Sequence, residues 1–227
     1  SLFGKSVGIH SPAAILFSSG SEGEPKGVVL SHQNIMGNIK QVSDVLDTRN
    51  DDVMVASLPL FHAFGLTVTG LLPMVEGVPA ICHPDPTDVL NIAKGISHYN
   101  ATIFCGTSTF LRLFNKNRRI HPLMLDSLRI VVAGAERLNP EIRDSFCLKF
   151  GKSIYEGYGT TETTPVATVN IPDRITADWN VQIGDKKGTV GLPLPGSSVR
   201  IVDPVSLKSL ATEEDGLILI GGTQVMQ

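Results

Sequence analysis

Charge of one sign is scarce in this 227-residue sequence: 19 Lys and Arg stand against 22 Asp and Glu, a net charge of −3. With a pI near 6.0 and no basic stripe, nucleic acid is excluded as the expected partner. Long hydrophobic runs are also missing. The longest apolar stretch, residues 66–75, is broken by Thr67, Thr69, Gly70 and Pro73, so it is too short and too interrupted to span a bilayer. The opening Ser1-Leu2-Phe3-Gly4-Lys5 lacks the basic start and apolar run of a secretory signal. Only three cysteines occur, far apart, with no CxxC pair and no Cys/His cluster at zinc spacing, which argues against a disulfide framework or a structural zinc. Cys82 and Cys105 each end an apolar run, so Cys82, Cys105 and Cys147 are expected to be free, mostly buried thiols in a reducing cytosol.

What is present suits an ordinary globule: 42% hydrophobic residues against 18% charged is too apolar for a disordered chain. The chain opens without Met and stops just after a strand-like run at 217–220, so a piece of a longer protein is expected. Short apolar runs at 13–17, 53–58, 79–83, 101–105, 128–133 and 153–156 predict strands, the first of them buried. Helical periodicity falls between them. Ser31 can cap a helix running to about Leu46, with Ile35, Ile39, Val42 and Leu46 on one face. Further helices are expected over 87–98, 107–117 and 140–150, while periodicity does not choose between helix and extended chain over 64–75. Such alternation predicts an α/β fold, a largely parallel sheet covered by helices on both faces, over residues 1–187. Within it, residues 173–187 are polar, hold the only Trp (Trp179) and show no period, which predicts a mobile surface insertion. From 188 the signals turn β-like, with runs at 198–202 and 217–220 around a turn at Asp203-Pro204, the start of a small β subdomain over 188–227.

The segment Phe17-Ser18-Ser19-Gly20-Ser21-Glu22-Gly23-Glu24-Pro25-Lys26-Gly27 carries the sharpest chemical signal. Its glycines let the backbone turn and aim several N–H groups inward, its serines add hydroxyl donors, and Lys26 adds a cation. A polyphosphate needs that set: many donors, little bulk and one positive charge. A flexible Ser/Gly linker has the same composition, but here a predicted strand precedes the loop and the apolar Val28-Val29-Leu30 follows it. A P-loop NTPase needs Gly-Lys-Ser/Thr opening a helix, whereas Pro25 precedes Lys26 and Gly27-Val28 follows. A hydrolase elbow needs G-x-S-x-G, and Ser19 stands where the first glycine belongs.

The loop fits the pattern Ser/Thr-Ser/Thr-Gly-Ser-x-Gly-x-Pro-Lys-Gly, which resembles the signature of the adenylate-forming superfamily of acyl-CoA synthetases, luciferases and peptide-synthetase adenylation domains. Three further segments occur in that superfamily's order: Val132-Ala133-Gly134-Ala135-Glu136, Glu156-Gly157-Tyr158-Gly159-Thr160-Thr161-Glu162, and residues 188–196. Ser57-Leu58-Pro59-Leu60-Phe61-His62-Ala63-Phe64-Gly65 resembles the segment lining the acyl site of fatty-acyl members, and together with the runs 104–110 and 162–166 it is most similar to the synthetase part of bacterial acyl–acyl carrier protein synthetase/acyltransferases. The chain departs from these at 173–187.

The resemblance implies the site. Ser18, Ser19, Gly20, Ser21, Gly23 and Lys26 would cradle the phosphates of ATP. Gly134, Ala135 and Glu136 would wall the adenine, with Tyr158 and Gly159 beside it. Thr161 would meet the α-phosphate and Glu162 would hold Mg2+, with Lys26, Thr161 and Glu162 as the catalytic group. Phe61, His62 and Gly106 would line the acyl site. ATP and Mg2+ are the implied cofactors, and a fatty acid and acyl carrier protein (alternatively coenzyme A) the implied partners of a cytoplasmic chain whose parent associates with the inner membrane. The superfamily's ribose-binding Asp and late-acting lysine fall beyond Gln227, so the chain alone is expected to bind ATP weakly and to make little acyl-adenylate. The spacing H-x-x-x-x-D of lysophospholipid acyltransferases occurs at His83–Asp88 and His121–Asp126, but without their glycine-rich segment, and both are read as coincidence.

Overall fold

Two strands come first among the described elements. β1 (Pro12–Ser18) and β2 (Lys26–Ser31) form an antiparallel hairpin in which Ser18 lies opposite Lys26. The structure, a computed structural model, describes residues 6–18 and 24–226. β1 is not the buried strand expected: Leu16 is buried, whereas Ile15 and Phe17 point outward, because a two-stranded ribbon is covered on one face only.

α1 (His32–Val45) starts where expected. The Ser31 hydroxyl accepts from Asn34 N–H at 3.2 Å, and Asn34 Oδ1 accepts from Ser31 N–H at 2.9 Å, a reciprocal cap that satisfies two donors at the helix start. Ile35, Ile39, Val42 and Leu46 are buried along one face, each contributing roughly 1.5–3 kcal/mol as an upper bound. β3 (Met54–Ala56) follows, then a π-helical segment, Phe64–Leu71, running into α2 (Leu72–Glu76). The remaining elements are β4 (Ala80–Cys82), α3 (Val89–Tyr99), β5 (Ile103–Gly106), α4 (Ser108–Lys116), β6 (Ile130–Ala133), α5 (Pro140–Phe150), β7 (Ile154–Gly159), β8 (Val166–Val169), β9 (Arg174–Ile175), β10 (Val181–Gln182), β11 (Leu192–Pro193), β12 (Ser198–Val202) and β13 (Leu217–Gly221).

A seven-stranded sheet runs in the order β11-β8-β7-β6-β5-β3-β4. β4, β3, β5, β6 and β7 are parallel, and β8 and β11 add antiparallel at one edge. Alternate residues of its strands enter different cores. Met54, Ile103, Cys105, Ile130 and Val132 pack with α1 and the π-helical segment. Val55, Phe104 and Val131 pack with α3, α4 and α5. Helices therefore cover both faces, as the alternation of elements predicts. β12 and β13 pair with each other in a separate two-stranded antiparallel sheet. Among the described residues no helix is long and apolar enough to cross a membrane.

At the N-terminal end of the parallel strands lies a buried ion pair. Arg129 Nε donates to Asp52 Oδ1 at 2.7 Å, and its Nη2 donates to Oδ2. Thr102 Oγ1 and Arg49 N–H donate to the same carboxylate at 2.6 and 2.8 Å. Burial pushes the Asp52 carboxyl upward, but these hydrogen bonds and the charge of Arg129 outweigh it and hold the group below the ordinary carboxylate range.

Residues 173–187, expected to lack regular structure, contain a hairpin: Ile175 lies opposite Val181, and Arg174 opposite Gln182. Its base is tied inward. Arg174 Nη2 donates to the Val45 carbonyl at 3.1 Å, and Asp173 Oδ1 accepts from Gly184 N–H at 2.8 Å. Two-residue strands are too short to register as alternation.

All three cysteines are free, but only Cys105 is buried. The expectation of burial fails for Cys82, which ends β4 at the sheet edge, and for Cys147, on the outer side of α5, whose buried residues are Phe146 and Phe150. Native-state labelling with a maleimide is therefore expected to modify Cys82 and Cys147 within minutes and to leave Cys105 intact until the chain unfolds. Three fast sites would contradict the placement of Cys105.

Candidate nucleotide and acid site

The loops following β3, β5, β6 and β7 converge at the C-terminal end of the parallel strands, where open α/β sheets bind ligands. They enclose a cavity of about 570 Å3 against α1 and the β1–β2 hairpin. Of the residues expected at the site, Ser18, His62, Gly134, Ala135, Tyr158, Gly159 and Thr161 line this one cavity. Ser19, Gly20, Ser21 and Gly23 lie outside the described residues. Lys26, Glu136, Glu162, Phe61 and Gly106 are not in its wall.

The hairpin brings the loop's two ends to the site. Ser18 ends β1, and Lys26, exposed, begins β2 directly across from it. Both strands lie against the short 3-10 turn Thr161–Thr163. Lys26 thus approaches from the same side as the turn that carries Thr161 and Glu162. Gly159 is required there: a Cβ on it would lie 1.6 Å from the Pro165 carbonyl oxygen. The close approach folds the chain back after Thr164, so that Tyr158, Thr160 and Thr161 all face the cavity. Thr160 N–H donates to Thr163 Oγ1 at 2.9 Å and fixes the turn.

Glu162 is half-buried, and its carboxylate has no hydrogen bond or ion pair among the described residues. An unpartnered carboxylate beside a cavity rimmed by hydroxyls and backbone is a fit for Mg2+, which accepts one protein oxygen and completes its shell with phosphate and water. No cluster of three or more His, Cys, Asp or Glu suited to an all-protein metal site occurs among the described residues.

Glu136 is held outside the cavity wall. Its carboxylate turns to the start of α4, where Thr109 N–H donates to Oε1 and Thr109 Oγ1 to Oε2 at 3.2 Å. Burial pushes this carboxyl up, but the hydrogen bonds from Thr109 and Thr107 and the charge of Arg112 prevail and hold it low. Its neighbours Gly134 and Ala135 do face the cavity. Ala135 adopts a left-handed backbone (φ 66°), a bend that costs about 1 kcal/mol and turns the chain after β6. Phe61 is 72% exposed, its ring tilted against that of His62 with centroids 4.6 Å apart. Gly106 faces Phe104 and Leu111, on the α3–α5 face of the sheet away from the cavity.

Several residues at the site are not among those the resemblance implies. Cys105 lines the cavity, and burial pushes its thiol up to about 12, so it stays protonated and is no nucleophile. Thr107 lines it too while capping α4, its hydroxyl accepting from Phe110 N–H at 3.3 Å. Asn38, fully buried on α1, reads the backbone of β8 like a neighbouring strand: its Nδ2 donates to the Val166 carbonyl at 2.8 Å and its Oδ1 accepts from Val166 N–H at 3.2 Å. Asn34 Nδ2 donates to the Thr223 and Val225 carbonyls at 2.9 and 2.8 Å, and Met226 N–H donates to the Glu162 carbonyl at 2.8 Å. A buried Asn at helical spacing gives no hint in sequence of a partner 128 to 191 residues away. His121 serves locally, its Nδ1 accepting from Leu123 N–H at 3.3 Å.

Residues 4–227 match the family described as AMP-binding enzyme. A long-chain-fatty-acid–CoA ligase of Yersinia pestis is 29% identical over 217 residues, 94% of this chain and 37% of that protein. A 4-coumarate–CoA ligase of Nicotiana tabacum is 31% identical over 219 residues, 94% of this chain and 39% of that protein. The chain thus spans well under half the length of these relatives. Among solved structures, ATP-bound MatB from Rhodopseudomonas palustris superposes with a TM-score of 0.82 at 29% identity, over 97% of this chain and 41% of that one.

Proposed function

The chain belongs to the AMP-binding enzyme family, and from that premise we propose that it is the ATP- and acid-gripping part of an AMP-forming acid–thiol ligase acting on fatty acids. One observation carries the reading: a single cavity joins the hydroxyl-rich turn Tyr158–Thr161 to an interior whose described wall holds no Asp, Glu, Lys or Arg. The first end suits a polyphosphate and the second a hydrocarbon.

In the first half-reaction a fatty-acid carboxylate oxygen attacks the α-phosphorus of ATP, and pyrophosphate leaves. Charge builds on the phosphate oxygens, so donors fixed in advance lower the barrier without reorganising. Ser18 and Thr161 supply hydroxyls at the cavity wall, and the Lys26 ammonium supplies a cation from the start of β2. Gly134 and Ala135 leave room for a flat base against the backbone, with Tyr158 across from it. Mg2+ held by Glu162 would add charge neutralisation at the phosphates. His62, at the cavity wall near the exposed Phe61, lies where the acyl portion enters. Nothing in this step needs a protein nucleophile, and the protonated Cys105 offers none.

In the second half-reaction a pantetheine thiol attacks the acyl-adenylate carbonyl and AMP leaves. The motifs at 57–65 and 104–110 favour acyl carrier protein as the thiol's bearer. The names of the Yersinia and Nicotiana relatives favour coenzyme A. Pyrophosphate exchange with long-chain fatty acids, followed by acyl transfer to each acceptor, tests the whole reading on a form of the protein extended to its relatives' length. Fatty-acid-dependent exchange is expected, with transfer to one acceptor at least tenfold faster than to the other. Exchange with amino or aryl acids but not with fatty acids would overturn the substrate class, and ATP binding without any exchange would reduce the chain to a binding module.

A further inference from the structure

The motifs account for the head of the cavity and leave its far end unexplained. Outside the motif segments its wall includes Val42 of α1 and Leu46, which caps that helix, Val68 of the π-helical segment, and Val169. α1 supplies a ruler. Asn38 is hydrogen-bonded to Val166 at the start of β8, and Val42 and Leu46 follow four and eight residues later. At 1.5 Å per residue they lie about 6 and 12 Å farther along the helix axis. The far end is also held shut. Arg129 Nη1 donates to the Leu46 carbonyl at 3.1 Å and its Nη2 to the Asp47 carbonyl at 2.9 Å, while the same guanidinium is locked on Asp52. Val42 and Leu46 are 5% and 2% exposed, so this is an inner wall and not an opening.

We propose that Val42 and Leu46, at the C-terminal end of α1, set the longest acyl tail the site accepts, and that the tail is the unsubstituted hydrocarbon of a monocarboxylic acid. The proposal rests on the ligase reading and adds the tail's chemistry and the residues that limit its length. A tail reaching Leu46 gains apolar contact with each methylene up to that point. One methylene more must displace a turn pinned by Arg129, and overpacking a fixed wall is costly. A second carboxylate at the tail's end would be stripped of water beside valine and leucine, with the nearby Arg129 guanidinium already engaged by Asp52.

The test is calorimetric binding of straight-chain fatty acids of increasing length, and of the matching α,ω-dicarboxylic acids, to this chain and to its Leu46→Ala and Val42→Leu variants. Circular dichroism confirms that each is folded, and Val42→Leu, the milder change, covers the case in which Leu46→Ala does not fold. Affinity is expected to rise with length to an optimum and then fall. Leu46→Ala should move the optimum to longer acids and bind the first rejected length about tenfold tighter, and Val42→Leu should move it to shorter acids, since one methylene in an apolar pocket is worth about tenfold or more. Dicarboxylic acids should bind at least about a hundredfold more weakly than their monocarboxylic counterparts. Folded variants that keep the parent's length profile, or dicarboxylic acids that bind equally well, would overturn this inference while leaving the ligase reading intact. Absence of binding by every acid, together with absence of exchange in the extended protein, would remove the ligase reading and this inference with it.

Discussion

Replacing Glu162 by Gln is expected to slow acyl-adenylate formation by about 10²–10³-fold while leaving the melting temperature within a degree or two. The size follows from a weakened hold on Mg2+, whose charge would neutralise the developing phosphate oxyanions. Gln keeps the shape of Glu and removes only its charge. The backbone tie between Met226 N–H and the Glu162 carbonyl is indifferent to the side chain, and the carboxylate has no partner among the described residues to lose. A metal-holding role makes a second demand: calorimetry should show ATP affinity that rises with Mg2+ concentration in the parent and hardly responds in Glu162→Gln. An unchanged exchange rate, or a rate loss matched by a fall in melting temperature, would falsify the assignment.

The second large effect is on stability. Asp52→Asn should destabilise the fold by about 3 kcal/mol at pH 7, near the low end for breaking a buried pair because Arg129 keeps 22% of its side chain exposed. For a domain of this size that is a loss of about 8 °C in melting temperature. The pH dependence has a definite sign. The folded carboxyl titrates below its unfolded value, so its stabilisation is fully present above about pH 4 and is lost as pH falls through the lower folded value. The gap between parent and variant should therefore narrow in acid, because the parent loses the interaction that the variant never had. Chemical denaturation at pH 7 and pH 3 measures both quantities, and a gap that stays constant would mean that the Asn substitution acts through packing instead.

The alternation of strands and helices could be read from the chain because each element carries its own period. α5 falls over 140–150 as expected, since Asn139 caps it and Gly151, with φ of 65°, ends it. The 64–75 segment was ambiguous for a physical reason: it is apolar on most sides and forms a π-helix before an α-turn, so no simple period fits it. Motif residues whose backbone shapes the cavity, such as Gly134 and Gly159, were legible because glycine there answers a steric demand. Phe61 and Glu136 were not, because their side-chain directions depend on how two loops pack and leave no trace in a local pattern. The lower half of the cavity was hidden for the same reason. Val42 and Leu46 belong to the apolar stripe that any amphipathic helix carries, and only the three-dimensional arrangement separates a wall from a core.

The polar residues of α1 also order events in time. Asn34 and Gln41 reach the chain's last described residues, 183 to 191 positions later, and Asn38 reaches β8. Contacts of such separation carry a large loop-closure entropy and form late in folding. The parallel strands and their helices can assemble first, from neighbours in sequence, while the turn that presents Thr161 and Glu162 waits for residues 223–226 to dock on α1. Opening of residues 223–226 alone, a smaller excursion than global unfolding, would release the turn. The ligand-gripping geometry is thus the last part of this fold to be completed and the first to be surrendered.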